Sequence, residues 1–175
     1  MNYGVKPRNS LAPAMHYDSR MRAVIQRVKR ASVTVADPES GAPVVTGEIG
    51  AGLCVLIGVT HEDGTAQVEK IARKIAQLKL LRAADGSDDT AARQSVEEAG
   101  APVLAISQFT LYADVRKGTK PGWSHAAPGP VAEPIFDAVV TALRARGLQV
   151  ETGRFGAMMD VELVNDGPFT IIAEA

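Results

Sequence analysis

From Arg22 onward apolar and polar positions alternate with a period of two: Ala23, Ile25 and then Val28 predict one strand, and Val33 with Val35 predicts the next. Asp37, Pro38, Gly41 and Pro43 mark a loop, after which Gly47 to Ile49 returns toward the sheet. The run Leu53 to Val59 is apolar at every position, the pattern of a central strand covered on both faces. Val68, Ile71, Ala72, Ile75 and Leu78 recur at helical spacing up to about Leu81, with Asp63 and Thr65 available as N-caps. Asp85 to Arg93 has no periodicity and reads as an exposed loop, and Pro102 to Ile106 is a short buried strand running into Ser107. A second loop spans Asp114 to Pro130. Val131, Ile135, Val139, Ala142 and Leu143 trace a second helix, with Pro134 suited only to its first turn and Gly147 as its C-terminal stop. Strands at Leu148 to Glu151, Val161 to Val164 and Phe169 to Ala173 complete the chain, the last two joined by a turn of sequence NDGPFT, Asn165 to Thr170. Helices interrupt the strands only twice. The prediction is a β-rich, mixed α/β fold: a partly closed, largely antiparallel, β-barrel-like sheet carrying two main helices.

Composition narrows the class. With 175 residues, 46% hydrophobic and 22% charged, the chain is long enough to bury one full core. Residues 21–175 read as a single domain. Residues 1–20 contain Pro7 and Pro13 and no signal-peptide apolar segment, so they are expected to be a flexible extension, with Met21 as an alternative start. A formal net charge of −1 advertises no extended nucleic-acid footprint, so any RNA contact must be local. The single cysteine, Cys54, lies inside the apolar run and is expected to be a small buried hydrophobe; one cysteine excludes an internal disulfide and a thiolate zinc cluster. No stretch approaches the roughly 18 apolar residues of a membrane helix, and no membrane partner is expected.

Familiar catalytic signals are absent. No GxGxxG or Walker-type loop is present, and His16, His61 and His125 are too scattered for a metal pair. Two stretches remain. Ser107, Gln108, Phe109 and Thr110 crowd the end of a buried strand, where either strand termination or a site explains them. NDGP is either an ordinary connector or a pair of backbone carbonyls held in a fixed direction.

SQFTL at Ser107 to Leu111 together with NDGPFT at Asn165 to Thr170 resembles the paired signature of the D-aminoacyl-tRNA deacylases, SQxxL and NxGPxT. Ala23 to Val28, Arg30 to Val35, Gly47 to Gly52, the Pro121 to Trp123 region and Thr152 to Gly156 also look like that family, so the resemblance runs from Met21 to the end. It implies hydrolysis of the ester between a D-amino acid, or glycine, and the terminal adenosine of tRNA. It also implies a cytoplasmic homodimer with pockets at the subunit interface and no metal or organic cofactor. The family's cis Gly-Pro pair, here Gly167 and Pro168, reaches into the partner's pocket, where its carbonyls fill the space of an L side chain and accept from the substrate amine. On the same resemblance Arg27 and Asn165 orient that loop, a surface arginine being the plain alternative for Arg27.

Ser107 to Thr110 form the catalytic segment by resemblance. Thr110 is assigned positioning rather than nucleophilic attack, because no base is recognisable near it. Backbone N–H groups around Gln108 and Phe109 are candidates for the oxyanion and the adenosine end, and Phe109 either walls the adenine or belongs to the core. The substrate ribose 2′-OH is expected to assist. Arg116, Lys117 and Lys120 either meet acceptor-stem phosphates or form a solvated loop face. Three departures from the family pattern stand out: Phe169 where Val is common, Trp123 where Phe is, and Asp88 to Arg93 in place of a Met-Asn segment. Two other classes compete with the esterase: a non-catalytic tRNA-end-binding module of the same fold, and a metallo-hydrolase, disfavoured by the lack of a ligand cluster.

Overall fold

A computed structural model describes residues 20–175. The expected extension at 1–20 thus lies, except for Arg20, outside the described residues. The elements are β1 (Arg22–Ala36), β2 (Pro43–Ile49), β3 (Gly52–Gly58), α1 (Thr65–Gln77), α2 (Val96–Ala99), β4 (Val103–Ser107), α3 (Gly129–Arg144), β5 (Val150–Thr152) and β6 (Met159–Glu174). The sheet order is β2-β1-β3-β4-β5, with β6 along the other edge of β1. Pairings of β1 with β2, β3 and β6 are antiparallel, while β3–β4 and β4–β5 are parallel. The ends of the path curl toward each other: a Cβ on Gly47 of β2 would stand 2.5 Å from the carbonyl oxygen of Thr152 on β5. The result is a β-rich, nearly closed, barrel-like sheet.

Two cores explain the apolar run of β3. Leu53, Val55 and Ile57 face a core shared with α1 and α3, and Cys54 faces a second one inside the curl with Leu104 and Ile106 of β4. Successive side chains of a strand point to opposite faces, so a strand between two cores must be apolar throughout. Cys54 is buried as expected, and burial pushes its thiol up to about 11. That makes it a packing residue.

The structure corrects several local readings. β1 is one strand of 15 residues, not two. Ile25 lies in the helix-side core and Val28 in the inner one, but Ala31 joins Val28 on the same side despite an odd separation. The pairing with β6 slips between Val28 and Arg30, so the break in period is a bulge rather than a strand end. α1 stops at Gln77, before the expected Leu81. Its N-cap is Gly64, whose N–H donates to Gln67 Oε1 at 3.1 Å; the Asp63 carboxylate instead accepts from the Thr60 N–H at 2.7 Å. α3 begins at Gly129, which places Pro134 in its second turn, and a third, short helix, α2, is capped by Ser95 and Glu98. Finally, NDGPFT is no reversal: both apolar runs beside it pair with β1 in one direction, inside the single strand β6.

The close approach of Gly52 to the β4 entrance gives a test. A Cβ there would meet the Pro102 carbonyl oxygen at 2.2 Å, whereas one on Gly50 would meet nothing within 4 Å. Gly52→Ala should therefore cost about 1–3 kcal/mol in denaturant unfolding, and Gly50→Ala should stay within about 0.5 kcal/mol of the parent.

Candidate active site

Ser107 ends β4, in register with Ile57 of β3. The Gln108 N–H extends that ladder by donating to the Ile57 carbonyl at 2.8 Å, and the chain then winds into a 3-10 turn, Phe109–Tyr112. Gly58 lets this turn sit low on the sheet, because a Cβ there would lie 2.8 Å from Tyr112 Cε2 and 3.1 Å from Gln108 O. Since the Gln108 N–H is committed to β3, the Phe109 N–H, which opens the turn, is the better candidate for binding an oxyanion.

Ser107 to Thr110 form one wall of a cavity of about 700 Å³. Its other walls come from Trp123, from Ala126 to Gly129 at the start of α3, and from Phe155 to Met159 with Val161 of β6. Phe109 and Trp123, both exposed, meet edge to face with ring centroids 5.2 Å apart. Phe109 is thus a rim aromatic and not a core residue. None of the lining side chains is ionisable. Besides the Trp123 indole N–H, the side-chain polar groups are the Ser107 and Thr110 hydroxyls and the Gln108 amide, whose Nε2 donates to Thr110 Oγ1. That bond leaves the Thr110 O–H as a donor aimed by Gln108. Among the described residues no group of three or more His, Cys, Asp or Glu is arranged to hold a metal ion.

Beside the cavity, Asp114 accepts from Arg116 through Nε at 2.8 Å and Nη2 at 2.6 Å. The Arg116 guanidinium holds the Asp114 carboxyl well below its usual range. Arg116 therefore already has an anionic partner, while Lys117 and Lys120 share its exposed loop.

The second motif is built differently. Asn165 pairs with Val28 and Thr170 with Gln26, so Asp166, Gly167, Pro168 and Phe169 are four residues set against one, Arg27. They must bulge from the sheet. The Gly167–Pro168 peptide bond is cis. Arg27 is no surface arginine: it is 2% exposed, and all five of its N–H donors are used. Nε donates to Asp166 O at 3.0 Å, Nη1 to Leu80 O and Asp88 Oδ1 at 3.0 Å each, and Nη2 to Asp88 Oδ2 at 3.0 Å and Gly167 O at 3.2 Å. Asn165 closes the base of the bulge: with its amide nitrogen turned toward the acceptors, it donates to the Phe169 and Arg27 carbonyls at 3.1 Å each.

The two motifs do not meet within one chain. Ser107, Gln108, Phe109 and Thr110 share the cavity; Arg27, Asn165, Gly167 and Pro168 share the bulge and line none of it. Sequence reasoning missed Arg82, Asp88, Arg93 and Asp166 as parts of the second group. Arg82 grips Asp166 through two bonds of 2.9 Å, and Arg93 Nε reaches Asp88 Oδ1 at 2.9 Å. Charges of both signs in and beside a loop without periodicity were the available signal, and they identify no partner by themselves.

Comparison with known proteins agrees with these motifs. The family model described as D-Tyr-tRNA(Tyr) deacylase matches residues 24–174. The chain belongs to that family, a family of enzymes. A protein of Kineococcus radiotolerans named D-aminoacyl-tRNA deacylase is 59% identical over 155 residues, covering 89% of this chain and 100% of that protein. Proteins of the same name from Streptomyces griseus and Thermobifida fusca are 53% and 52% identical over 157 and 154 residues, each covering 88% of this chain and 99% of the relative. Among solved structures, one titled c-Myc DNA Unwinding Element Binding Protein is similar with a TM-score of 0.75 and 38% identity, over 88% of this chain and 98% of that one. Another, titled as a probable eukaryotic D-amino acid tRNA deacylase, has a TM-score of 0.72 at 18% identity over 89% and 100%, a likeness of fold.

Arg27 first, then Arg93, holds the Asp88 carboxyl well below the usual 3.8 by hydrogen bonding to its charged form. A depressed carboxylate contributes stability that is present above the unfolded value and is lost as pH falls toward the folded one. Asp88→Asn should therefore have a melting temperature below the parent at neutral pH. The gap should narrow as pH drops from about 4 to about 2 in a thermal-unfolding series, since the variant lacks the group that titrates.

Proposed function

We propose that this protein hydrolyses the ester of D-aminoacyl-tRNA, and of glycine mischarged on tRNA, releasing the free amino acid and tRNA. The observation that carries this reading is the cavity of about 700 Å³ walled by Ser107 to Thr110 without an ionisable lining residue, in a chain of this family. An aminoacyl ester is already activated, so a site that positions water and stabilises an oxyanion suffices. The Phe109 N–H receives the developing negative charge, the Thr110 O–H fixes the ester or the water, and Phe109 with Trp123 offers aromatic surface to the terminal adenine. The substrate ribose 2′-OH assists the attack. The acceptor end of tRNA is the only part of the nucleic acid that the site needs to read, in keeping with a net charge of −1.

The protein works as a homodimer in which Gly167 and Pro168 of one protomer complete the pocket of the other. Three observations support this. Both residues are exposed and line no part of their own chain's cavity. Among the described residues β6 pairs only with β1, leaving an outer edge that carries exposed Val161 and Ile172. And the described residues give Gly167 no local reason to be glycine: no positive φ requires it, and a Cβ would meet only the side-chain amide of Asn165, at 3.6 Å. A neighbour outside the chain accounts for the missing side chain. In the completed pocket the Gly167 and Pro168 carbonyls take the volume of an L side chain; Gly167 O gives one lone pair to Arg27 and keeps the second for the substrate ammonium. Rejection by exclusion lets many D side chains pass.

Purified protein should release D-Tyr from D-Tyr-tRNA and leave L-Tyr-tRNA largely intact, with or without a chelator. Equal rates on the two enantiomers would sink the reading, and binding without turnover would establish the tRNA-end-binding module instead. Thr110→Ala should keep substantial activity, as a positioning group would; a folded but wholly inactive Thr110→Ala would point to a nucleophile. Gly167→Leu should fold with stability within about 0.5 kcal/mol of the parent and lose deacylation, because its side chain enters the neighbouring pocket.

A further inference from the structure

Asp88 and Arg93 belong to a loop remote in sequence from the Asn165 to Thr170 motif, yet the support of the bulge passes through them. Asp88 meets Arg27 with two parallel bonds, Nη1 to Oδ1 and Nη2 to Oδ2, each 3.0 Å. Such a fork fixes the plane of a guanidinium and not merely its position. The same Nη2 donates to Gly167 O, so the plane that Asp88 sets is the one that aims the Gly167 carbonyl. Arg93 holds Asp88 in turn, through Nε to Oδ1 at 2.9 Å and Nη2 to the Asp88 carbonyl at 3.3 Å. Phe169, the residue after Pro168, closes the ring: the Cζ atoms of Arg27 and Arg93 each lie 4.5 Å from its centroid. Two guanidinium groups against one ring repel each other unless an anion lies between them. Asp88, bonded to both, is that anion.

We propose that Asp88, Arg93 and Phe169 form a clamp that makes Asp88 and Arg93 positioning residues for the choice between D and L substrates. The proposal rests on reading Gly167 and Pro168 as the element that excludes L side chains. It also gives two departures from the family pattern one explanation. An aromatic ring at position 169 offers a face to a flat cation, and Arg93 supplies one from the divergent 88–93 segment. A lysine at 93 keeps the charge but neither stacks as a plane nor forms the paired contact with Asp88.

Arg93→Lys, Asp88→Asn, Phe169→Leu and Phe169→Tyr would be compared with the parent as full-length dimers, measuring kcat and KM on D-Tyr-tRNA and L-Tyr-tRNA alongside melting temperature. The first three should gain cleavage of L-Tyr-tRNA, lowering the D/L ratio of kcat/KM by about tenfold to a hundredfold, the scale on which a misplacement of about 1 Å acts. Phe169→Tyr preserves the stack and should preserve the ratio. Arg93→Lys keeps its charge at a partly exposed position and is expected to fold, so the test survives loss of any other variant. Folded variants that retain the parental ratio, or that lose both activities equally, would overturn the clamp while leaving the proposed function standing. A parent with no preference between enantiomers would overturn the proposed function itself.

Discussion

The arrangement of the C-terminal motif depends on one buried cation. Arg27 lies where β1 contributes a single residue against four of β6, and its guanidinium fills the space that this mismatch opens. A charge with 2% exposure is tolerable only if its donors are satisfied, and here all five are. Three of the acceptors are backbone carbonyls and two belong to one carboxylate. Arg27 therefore ties β6, the end of the α1 connection at Leu80 and the 88–93 loop to a single point. The bulge is fixed by what its main chain accepts, with little help from side-chain packing.

The cavity follows the opposite plan. Its floor is built by sheet geometry: β3 and β4 run parallel, the ladder continues one bond beyond β4 at Gln108, and Gly58 leaves room for the 3-10 turn to fold over it. Its chemistry is left to hydroxyls, one amide, one indole N–H and main-chain groups, since no lining residue titrates. Such a site holds one protonation state across a broad pH range, and its power must come from fixed dipoles and proximity. That suits an activated ester far better than an amide.

Much of this was legible in the sequence, and the failures have physical causes. β3, α1 and α3 were readable because their apolar period is uninterrupted and both neighbours of β3 are cores. β1 looked like two strands because a bulge shifts the face of every later residue, and a one-dimensional pattern cannot separate a shift from an end. NDGP looked like a turn for a similar reason: Asn, Asp, Gly and Pro mark departure from a ladder, but whether the chain returns to the same neighbour depends on the register with β1. The cavity wall at Ser107 to Thr110 was visible as polar residues at the end of a buried strand. The second group was half visible: its backbone elements were in the motif, but Arg82, Asp88 and Arg93 were unremarkable charges in a polar loop. Burial of an arginine is a property of the surroundings, and no local signal at Arg27 encodes it.

Exclusion by backbone carbonyls carries a mechanical demand that exclusion by a side chain does not. A bulky side chain is held by the packing of its own stem, whereas a carbonyl in a bulge turns with every small change in the neighbouring dihedrals. The oxygen must be fixed from outside by donors that are themselves immobile. Arg27 reaches Asp166 O and Gly167 O from one side, Arg82 takes the Asp166 carboxylate, and Arg93 with Asp88 fixes the plane in which Arg27 can donate. Guanidinium groups fit this task because their donors are coplanar and lose little freedom for each bond formed. If main-chain atoms and not side chains decide which substrate fits, as proposed above, the concentration of three arginines and Asp88 around the four residues Asp166 to Phe169 is the expected consequence.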